Sequence, residues 1–380
     1  MPSPELITAE TRQLVEVAEA SSDDQTRDAA LASLVRHVAG RSADPAVRAR
    51  RDAYSSEPGN MQDYPLDAEG YAVAFDPLHD EAEMYDTWRR YGVVVAKNVV
   101  PEAVCAGAIR KVRDTLAQLS GGEFDIDKPE TYASMPADAT GEPILTRGFF
   151  EVYHDDALAQ LRQSVRLYLH HAVLWGQAEL WTTFDRYGVK LPGHAESAAL
   201  PLHVDQNPNI HADFTTTQGV LALEDCPVER GTLVVAPGSK QHFAEYGRMA
   251  LNKGEYVELE TDDPAAAVLS ASAKPLPLRA GNLVTWDSRT THANSANMSD
   301  KTRFIALVSA GPARSNDEEA VMARQEAFDT GIGSNVRTAM MHASRRPRYY
   351  NPAALQAIRQ PENLSLLGKL LYGQVSYDEI

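Results

Sequence analysis

The apolar positions change period twice along the chain. In the first stretch they recur every three to four residues. Within SSDDQTRDAALASLVRHVAG, Leu31, Leu34, Val35 and Val38 fall on one helical face. Ser and Asp residues offer N-caps ahead of them, and Gly40 predicts the stop. YGVVVAKNVV (91–100) is a short β-branched run closed by Pro101, and PEAVCAGAIRKVRDTLAQL then predicts a helix opening on proline. Residues 120–145 are acidic and irregular. DDALAQLRQSVRLYLHHAVLWGQ (155–177) predicts one amphipathic helix with Leu158, Leu161, Val165 and Leu169 on one side; His170 and His171 read as ordinary helix residues. From Leu180 the period is two. LWTTFDRYGV, PLHVDQ, TQGVLALED, GTLVVAP, YVELE, NLVTWDS and RFIALVSA are short strand-like runs punctuated by Gly, Pro, Asn and Asp. Such spacing predicts an antiparallel sandwich or barrel rather than βαβ units. After Asn316 helical sequence returns. LSLLGKLLYG (364–373) is too apolar to remain solvated, so the C-terminal segment is expected to pack on the core and to enclose substrate or make a dimer contact.

Composition narrows the classes. The chain has 380 residues, 43% of them apolar, and a formal net charge of -17. An acidic surface argues against a nucleic-acid binder and against attraction to anionic lipid. Two cysteines, Cys105 and Cys226, form no CxxC pair, which excludes a zinc knuckle or dithiol motif and predicts two buried, reduced thiols. MPSPELITAETRQ has no basic or apolar signal region, and no apolar run is long enough to span a bilayer. The expectation is a cytoplasmic protein with a small-molecule partner, no nucleic acid and no membrane; a homodimer stays open. GIGSNV (331–336) lacks the third glycine and the preceding strand of a phosphate loop.

Three His-x-Asp triplets occur: His154/Asp156, His203/Asp205 and His211/Asp213. Two imidazoles and one carboxylate on one face are how non-haem Fe(II) sites are built, and in a strand residues i and i+2 share a face. By context, His154-Asp155-Asp156 opens a helix, where the acids suit a capped N-terminus. His203-Val204-Asp205 lies in LPLHVDQNP, a strand with apolar residues alternating with the polar pair. His211/Asp213 falls in the next loop and is the runner-up. His292 lies in WDSRTTHANSANMSDKTRF, with Arg303 eleven residues on inside a strand-like run. Alone, His292 reads as a satisfied core or edge histidine; Arg303 changes that reading. A buried carboxylate of a cosubstrate such as 2-oxoglutarate requires a cation, and a bidentate arginine contributes roughly 1.5–3 kcal/mol through charge-assisted hydrogen bonds. Antiparallel neighbours joined by a short turn would bring positions about eleven apart onto one inner face.

At this point the chain resembles the phytanoyl-CoA dioxygenase superfamily of Fe(II)/2-oxoglutarate oxygenases. YGVVVAKNVVPEAV is similar to its strand–helix entry, LPLHVDQNP to its His-x-Asp strand, ALEDCPVERGTLVVAPGSKQH to its central hairpin and Pro-Gly-Ser turn, and AGNLVTWDSRTTHANSANMSDKTRF to its distal histidine and arginine segment. The resemblance covers about residues 85–312. It implies a mainly β fold with flanking helices around a double-stranded β-helix (jelly roll, cupin-like) core. Residues 1–80 would be an N-terminal helical extension and 313–380 a C-terminal one packed on the core. It also implies His203, Asp205 and His292 as ligands of Fe(II), Arg303 as the 2-oxoglutarate anchor, Asn294 as a helper on that carboxylate, and Gln218 as a further cosubstrate contact. Arg186 and Arg289 are each placed to face the cavity and bind cosubstrate or substrate, or else to form a surface salt bridge. The implied activity is a dioxygenase consuming O2 and 2-oxoglutarate, hydroxylating an unactivated C–H of a natural-product or amino-acid-derived intermediate, with succinate and CO2 as coproducts. The carboxylate at Asp205 favours hydroxylation over halogenation. Two other classes compete: a jelly roll that binds a small molecule without turnover, and a cupin-like metal enzyme that uses no 2-oxoglutarate. Arg303 discriminates against both. RRPR (345–348) with Tyr349 and Tyr350 reads as a solvated loop, or as a cover of the cavity mouth.

Overall fold

The computed structural model of the chain describes residues 5–54, 59–193, 199–212, 215–251, 254, 256–334 and 361–380, with the main chain of 343–345. Of the RRPR–Tyr-Tyr stretch only the main chain of its first residue is described, and Asp213 lies outside the described residues. The helices are α1 (Ala9–Ala20), α2 (Asp24–Ser42), α3 (Pro45–Tyr54), α4 (Glu81–Tyr91), α5 (Glu102–Leu119), α6 (Asp156–Arg162), α7 (Val165–Trp175), the short α8 (Tyr246–Met249) and α9 (Ala266–Ser272), α10 (Glu318–Thr330) and α11 (Leu366–Tyr372). The strands of the body are β1 (Val93–Ala96), β2 (Phe149–Phe150), β3 (Leu180–Thr182), β4 (Tyr187–Lys190), β5 (Leu200–Val204), β6 (Thr217–Ala222), β7 (Leu233–Val235), β8 (Val257–Glu258), β9 (Lys274–Leu276), β10 (Leu283–Asp287), β11 (His292–Asn294), β12 (Arg303–Leu307) and β13 (Ala310–Pro312).

Two antiparallel sheets carry the architecture of a jelly roll: a large one in the order β1-β10-β6-β12-β4-β2 and a smaller one in the order β8-β5-β11-β7-β9. The strands of the large sheet are buried on both faces, and their alternation sorts the side chains. On β6, β10 and β12, Leu221, Leu283, Phe304 and Ala306 point outward into a cluster with Ile109 and Val112 of α5 and Leu158 of α6. Their neighbours Val220, Val284, Trp286 and Ile305 point inward to Leu233, Val235 and Leu276 of the small sheet. One face therefore packs on helices and the other on a second sheet.

A third cluster joins the ends of the chain. Val15 of α1, Leu34 and Val38 of α2, Tyr168 and Leu169 of α7, and Leu367, Leu370 and Leu371 of α11 bury together. Leu367, Leu370 and Leu371 of LSLLGKLLYG are fully buried, worth about 1.5–3 kcal/mol each, while Leu364 and Leu366 are partly buried. The Leu366 amide also donates to Asp28 Oδ1 at 3.0 Å. The apolar C-terminal run thus packs on β3 of the body as well as on α2 and α6.

Three local expectations differ. Helix α2 passes Gly40 and ends at Ser42, because Gly40 keeps helical backbone and its carbonyls find partners further on. The single helix over 155–177 is two, because Ser164 leaves the helical region and caps α7 by accepting from the Leu167 amide. LWTTFDRYGV is likewise two strands, β3 pairing with β13 and β4 with β12. Both cysteines are buried and unpaired.

Candidate metal centre and its cavity

His203 and His292 are direct register partners across β5 and β11. Their rings lie 4.3 Å apart between centroids. Asp205 follows β5 at the bend and brings its carboxylate to both: Oδ1 is 3.9 Å from His203 Nε2 and Oδ2 is 3.6 Å from His292 Nε2. One ligand atom from each residue lies within 4.8 Å of the others.

The tautomers are set by the backbone. His203 Nδ1 is 2.7 Å from the Pro201 carbonyl and His292 Nδ1 is 3.0 Å from the Thr290 carbonyl. A carbonyl oxygen only accepts, so each Nδ1 carries the hydrogen and each Nε2 keeps its lone pair. Burial, then the neighbouring His292, presses the His203 imidazole down to about 4, leaving it neutral near pH 7. Three lone-pair donors therefore converge. A cation between them would satisfy all three, which is the chemistry of a two-histidine, one-carboxylate ligand set.

The other triplets are not brought here. The His154 ring is buried against Phe184 and Phe328 with Nε2 on the Ile332 carbonyl, and Asp155 caps α6. His211 stands in the loop after β5, and its partner Asp213 lies outside the described residues. His170 and His171 are buried in α7, bonded to Thr285 and to the Leu167 carbonyl.

The three groups open on a cavity of about 210 Å³ between the sheets. Arg303 lines it, 3% exposed, with a buried Nε that has no acceptor. The expected geometry needs one correction. β11 and β12 are not neighbours in one sheet: β11 pairs with β5 and β7, β12 with β4 and β6. The chain crosses from the small sheet to the large one, so His292 and Arg303 face the cavity from opposite walls. The eleven-residue spacing suits that crossing rather than a hairpin.

The remaining expected residues separate. Gln218 lines the cavity, but its amide donates to Asp205 Oδ2 at 3.0 Å, so it orients the carboxylate. Arg186 lines the cavity too, with Nη1 on Asp185 at 3.1 Å and its guanidinium 4.4 Å from the Phe149 ring centre. Arg289 is turned away from the cavity. Its main-chain amide, Nε and Nη2 all donate to Asp287, at 2.9, 3.0 and 2.7 Å, and Tyr54 of α3 adds a fourth donor at 2.8 Å. That carboxylate neutralises Arg289 and stiffens the turn that delivers His292. The same turn is held again where the Thr291 amide donates to Ser239 Oγ at 2.8 Å. Ser239 follows Gly238, which has φ +76° and meets the backbone of Asn60 so closely that a Cβ would sit 2.2 Å from it.

Lys190 is the cavity residue the motifs did not reveal. Asn294 accepts from its ammonium, as does the Ser295 carbonyl at 2.7 Å. The signal was present in the strand period: Gly188 and Lys190 of β4, with Arg186 just before it, alternate onto one face, and all three line the cavity. Gly188 keeps that wall open, since a Cβ there would meet Ile305 at 2.5 Å. A larger groove, about 1130 Å³, runs between the terminal helices and α5 to α7 past Arg27, Glu102 and Arg166; it holds none of the metal-binding trio.

The family model of phytanoyl-CoA dioxygenase (PhyH) matches residues 88–305, more than half of the chain and the span from α4 through Arg303. The chain belongs to the phytanoyl-CoA dioxygenase family. Among curated relatives, this PhyH protein is 24% identical over 272 residues to Ava biosynthesis cluster protein O of Aspergillus versicolor, covering 68% of this chain and 86% of that one. A crystal structure of a hypothetical protein from Escherichia coli matches at a TM-score of 0.57 and 15% identity, over 98% of both chains, so the terminal helices belong to an architecture found elsewhere. The epimerase SnoN, solved with Fe3+, alpha ketoglutarate and nogalamycin RO, is 21% identical over 61% of this chain and 84% of its own, at a TM-score of 0.42. No helix among the described residues is long and apolar enough to cross a membrane.

Proposed function

We propose that this PhyH protein is an Fe(II)/2-oxoglutarate-dependent dioxygenase that hydroxylates an unactivated C–H bond of a small molecule, a natural-product or amino-acid-derived intermediate. The observation that carries the reading is the convergence of the two Nε2 lone pairs and the Asp205 carboxylate within 4.8 Å, in a cavity that Arg303 also lines. His203, Asp205 and His292 would hold the metal. The Pro201 and Thr290 carbonyls keep both imidazoles in the ligating tautomer, and Gln218 orients Asp205. Arg303 would take the distal carboxylate of 2-oxoglutarate in a bidentate pair. Leu233, Ile305 and Leu307 keep the intervening wall apolar, which strengthens that pairing by excluding water. Fe(II) with 2-oxoglutarate and O2 supplies an oxidant able to take hydrogen from a C–H bond, with succinate and CO2 as coproducts. The name of the Aspergillus relative supports a substrate from small-molecule biosynthesis.

Anaerobic addition of Fe(II) and then 2-oxoglutarate tests the reading. A weak visible charge-transfer band is expected in the wild type and not in Asp205→Ala. Iron binding without the band would favour a cupin-like metal enzyme, and absence of iron binding a non-catalytic jelly roll.

A further inference from the structure

Arg186 stands just before β4, and its carbonyl accepts from the Leu307 amide at 2.9 Å, so the pairing with β12 extends to it. It is 7% exposed and lines the metal cavity. Its stretch of main chain is held from behind. Arg162 of α6 donates to the Asp185 carbonyl, and the Phe184 amide donates to Ser334 Oγ at 2.8 Å. The guanidinium lies 4.4 Å from the ring centre of Phe149, which lines the cavity too. Nη1 donates to Asp185 Oδ1 at 3.1 Å. The Nε–Nη2 edge is the one with which Arg289 grips Asp287. On Arg186 that edge meets no acceptor among the described residues, and its Nε is buried. Asp185 therefore balances the charge and leaves the fork of donors unused. Among the described residues lining the cavity Asp205 is the one carboxylate, and it belongs to the metal-binding trio.

Position along the strand separates this arginine from the cosubstrate end. Arg303 is the register partner of Lys190, four residues beyond Arg186. At about 3.3 Å per residue the two stations are roughly 13 Å apart along the wall. The carbon chain of a five-carbon acid spans roughly 5 Å, so one held at Arg303 covers less than half of that length. We propose that Arg186 anchors a carboxylate of the primary substrate through its Nε–Nη2 edge, which makes the substrate an organic acid. The inference rests on the function proposed above and names its substrate class. The planar fork matches a carboxylate in two parallel hydrogen bonds. Phe149 holds the guanidinium plane from the side, and Leu307 beside it offers apolar wall to the body of the acid. Arg186 is then a specificity-determining residue, set in place by Arg162 and Ser334.

Calorimetric titration of the full-length protein, loaded with Mn(II) and saturated with 2-oxoglutarate so that no turnover occurs, tests the anchor. The probes are 4-phenylbutyrate and its uncharged amide, 4-phenylbutyramide, on wild type, Arg186→Met and Arg186→Lys. The wild type should bind the acid about ten- to a hundred-fold more tightly than the amide. Arg186→Met should abolish that preference, with 2-oxoglutarate and Mn(II) affinity unchanged. Arg186→Lys keeps a cation beside Asp185 but has no planar fork, and should lose most of the preference. A wild type that does not prefer the acid, or a preference unchanged in both variants, would overturn the anchor. Loss of 2-oxoglutarate affinity in Arg186→Met would assign the arginine to the cosubstrate and overturn it as well. A wild-type protein that binds no 2-oxoglutarate would overturn the cosubstrate reading, while the acid-to-amide ratios of wild type and variants would still decide the anchor.

Discussion

Arg289 and Arg303 flank the same histidine and end in opposite electrostatic situations. Arg289 meets Asp287 through two side-chain nitrogens and its own amide, and the pair is closed off by Tyr54. Arg303 lies deeper, 3% exposed, and the residue opposite it on the neighbouring strand is Lys190 rather than a carboxylate. The difference separates framework from site. A buried cation with a built-in counter-ion holds a turn in place. One that faces a cavity, with no carboxylate opposite it on the neighbouring strand, is where the proposed function puts the cosubstrate's carboxylate. Both arginines look alike in sequence, and only the partner distinguishes them.

The framework half of the comparison carries the largest expected stability effect. Asp287→Ala removes the fully buried carboxylate to which Arg289 and Tyr54 both donate and should cost about 3–5 kcal/mol in denaturant unfolding. A loss under about 1 kcal/mol would show that the pair does not hold the turn.

The buried histidines of the packing regions sharpen the contrast between residues neutral for packing and residues neutral for ligation. Burial holds His154 down to about 3 and His171 to about 4. It holds His170 well below its usual value. Because these folded values lie below the unfolded value of about 6.5, the unfolded chain gains protons first as the pH falls. Their contribution is intact above about pH 6.5 and is lost toward acid, by about 2 kcal/mol per ring between pH 7 and pH 5. Unfolding of metal-free protein at the two pH values should show it. His154→Phe should reduce the difference by one ring's share, and an unchanged difference would count against the assignment.

The smallest expected effect is at the tie between the N-terminal extension and the turn. Tyr54→Phe removes one hydrogen bond to Asp287 and should cost about 1 kcal/mol, with Mn(II) affinity reduced only slightly. A stability unchanged within error would place the whole burden of the turn on Arg289 and Ser239.

Much of this was legible from residues. The two-residue period announced the sheets, because β6, β10 and β12 send alternate side chains to different clusters. The trio was legible because a His-x-Asp pair at a strand end and a distant histidine form an ordered pattern of residue types. Partnership was not. That Arg289 would find Asp287, that Gln218 would take Asp205, and that Lys190 would face Arg303 are facts of register and crossing between sheets. Neither composition nor local period encodes those. The helix over 155–177 failed for a similar reason: Ser164 can sit within a helix or cap one, and tertiary packing chose the cap.

The most direct test of the comparison is 2-oxoglutarate binding to Mn(II)-loaded Arg303→Ala and Arg289→Ala, with thermal midpoints recorded on the same samples. Arg303→Ala should weaken 2-oxoglutarate by roughly a hundred-fold or more, because it removes the charge facing a buried carboxylate, and should keep its midpoint near wild type. Arg289→Ala should lower the midpoint by several degrees and keep 2-oxoglutarate affinity within a few-fold. The opposite pattern, with affinity lost at Arg289 and stability lost at Arg303, would contradict the account.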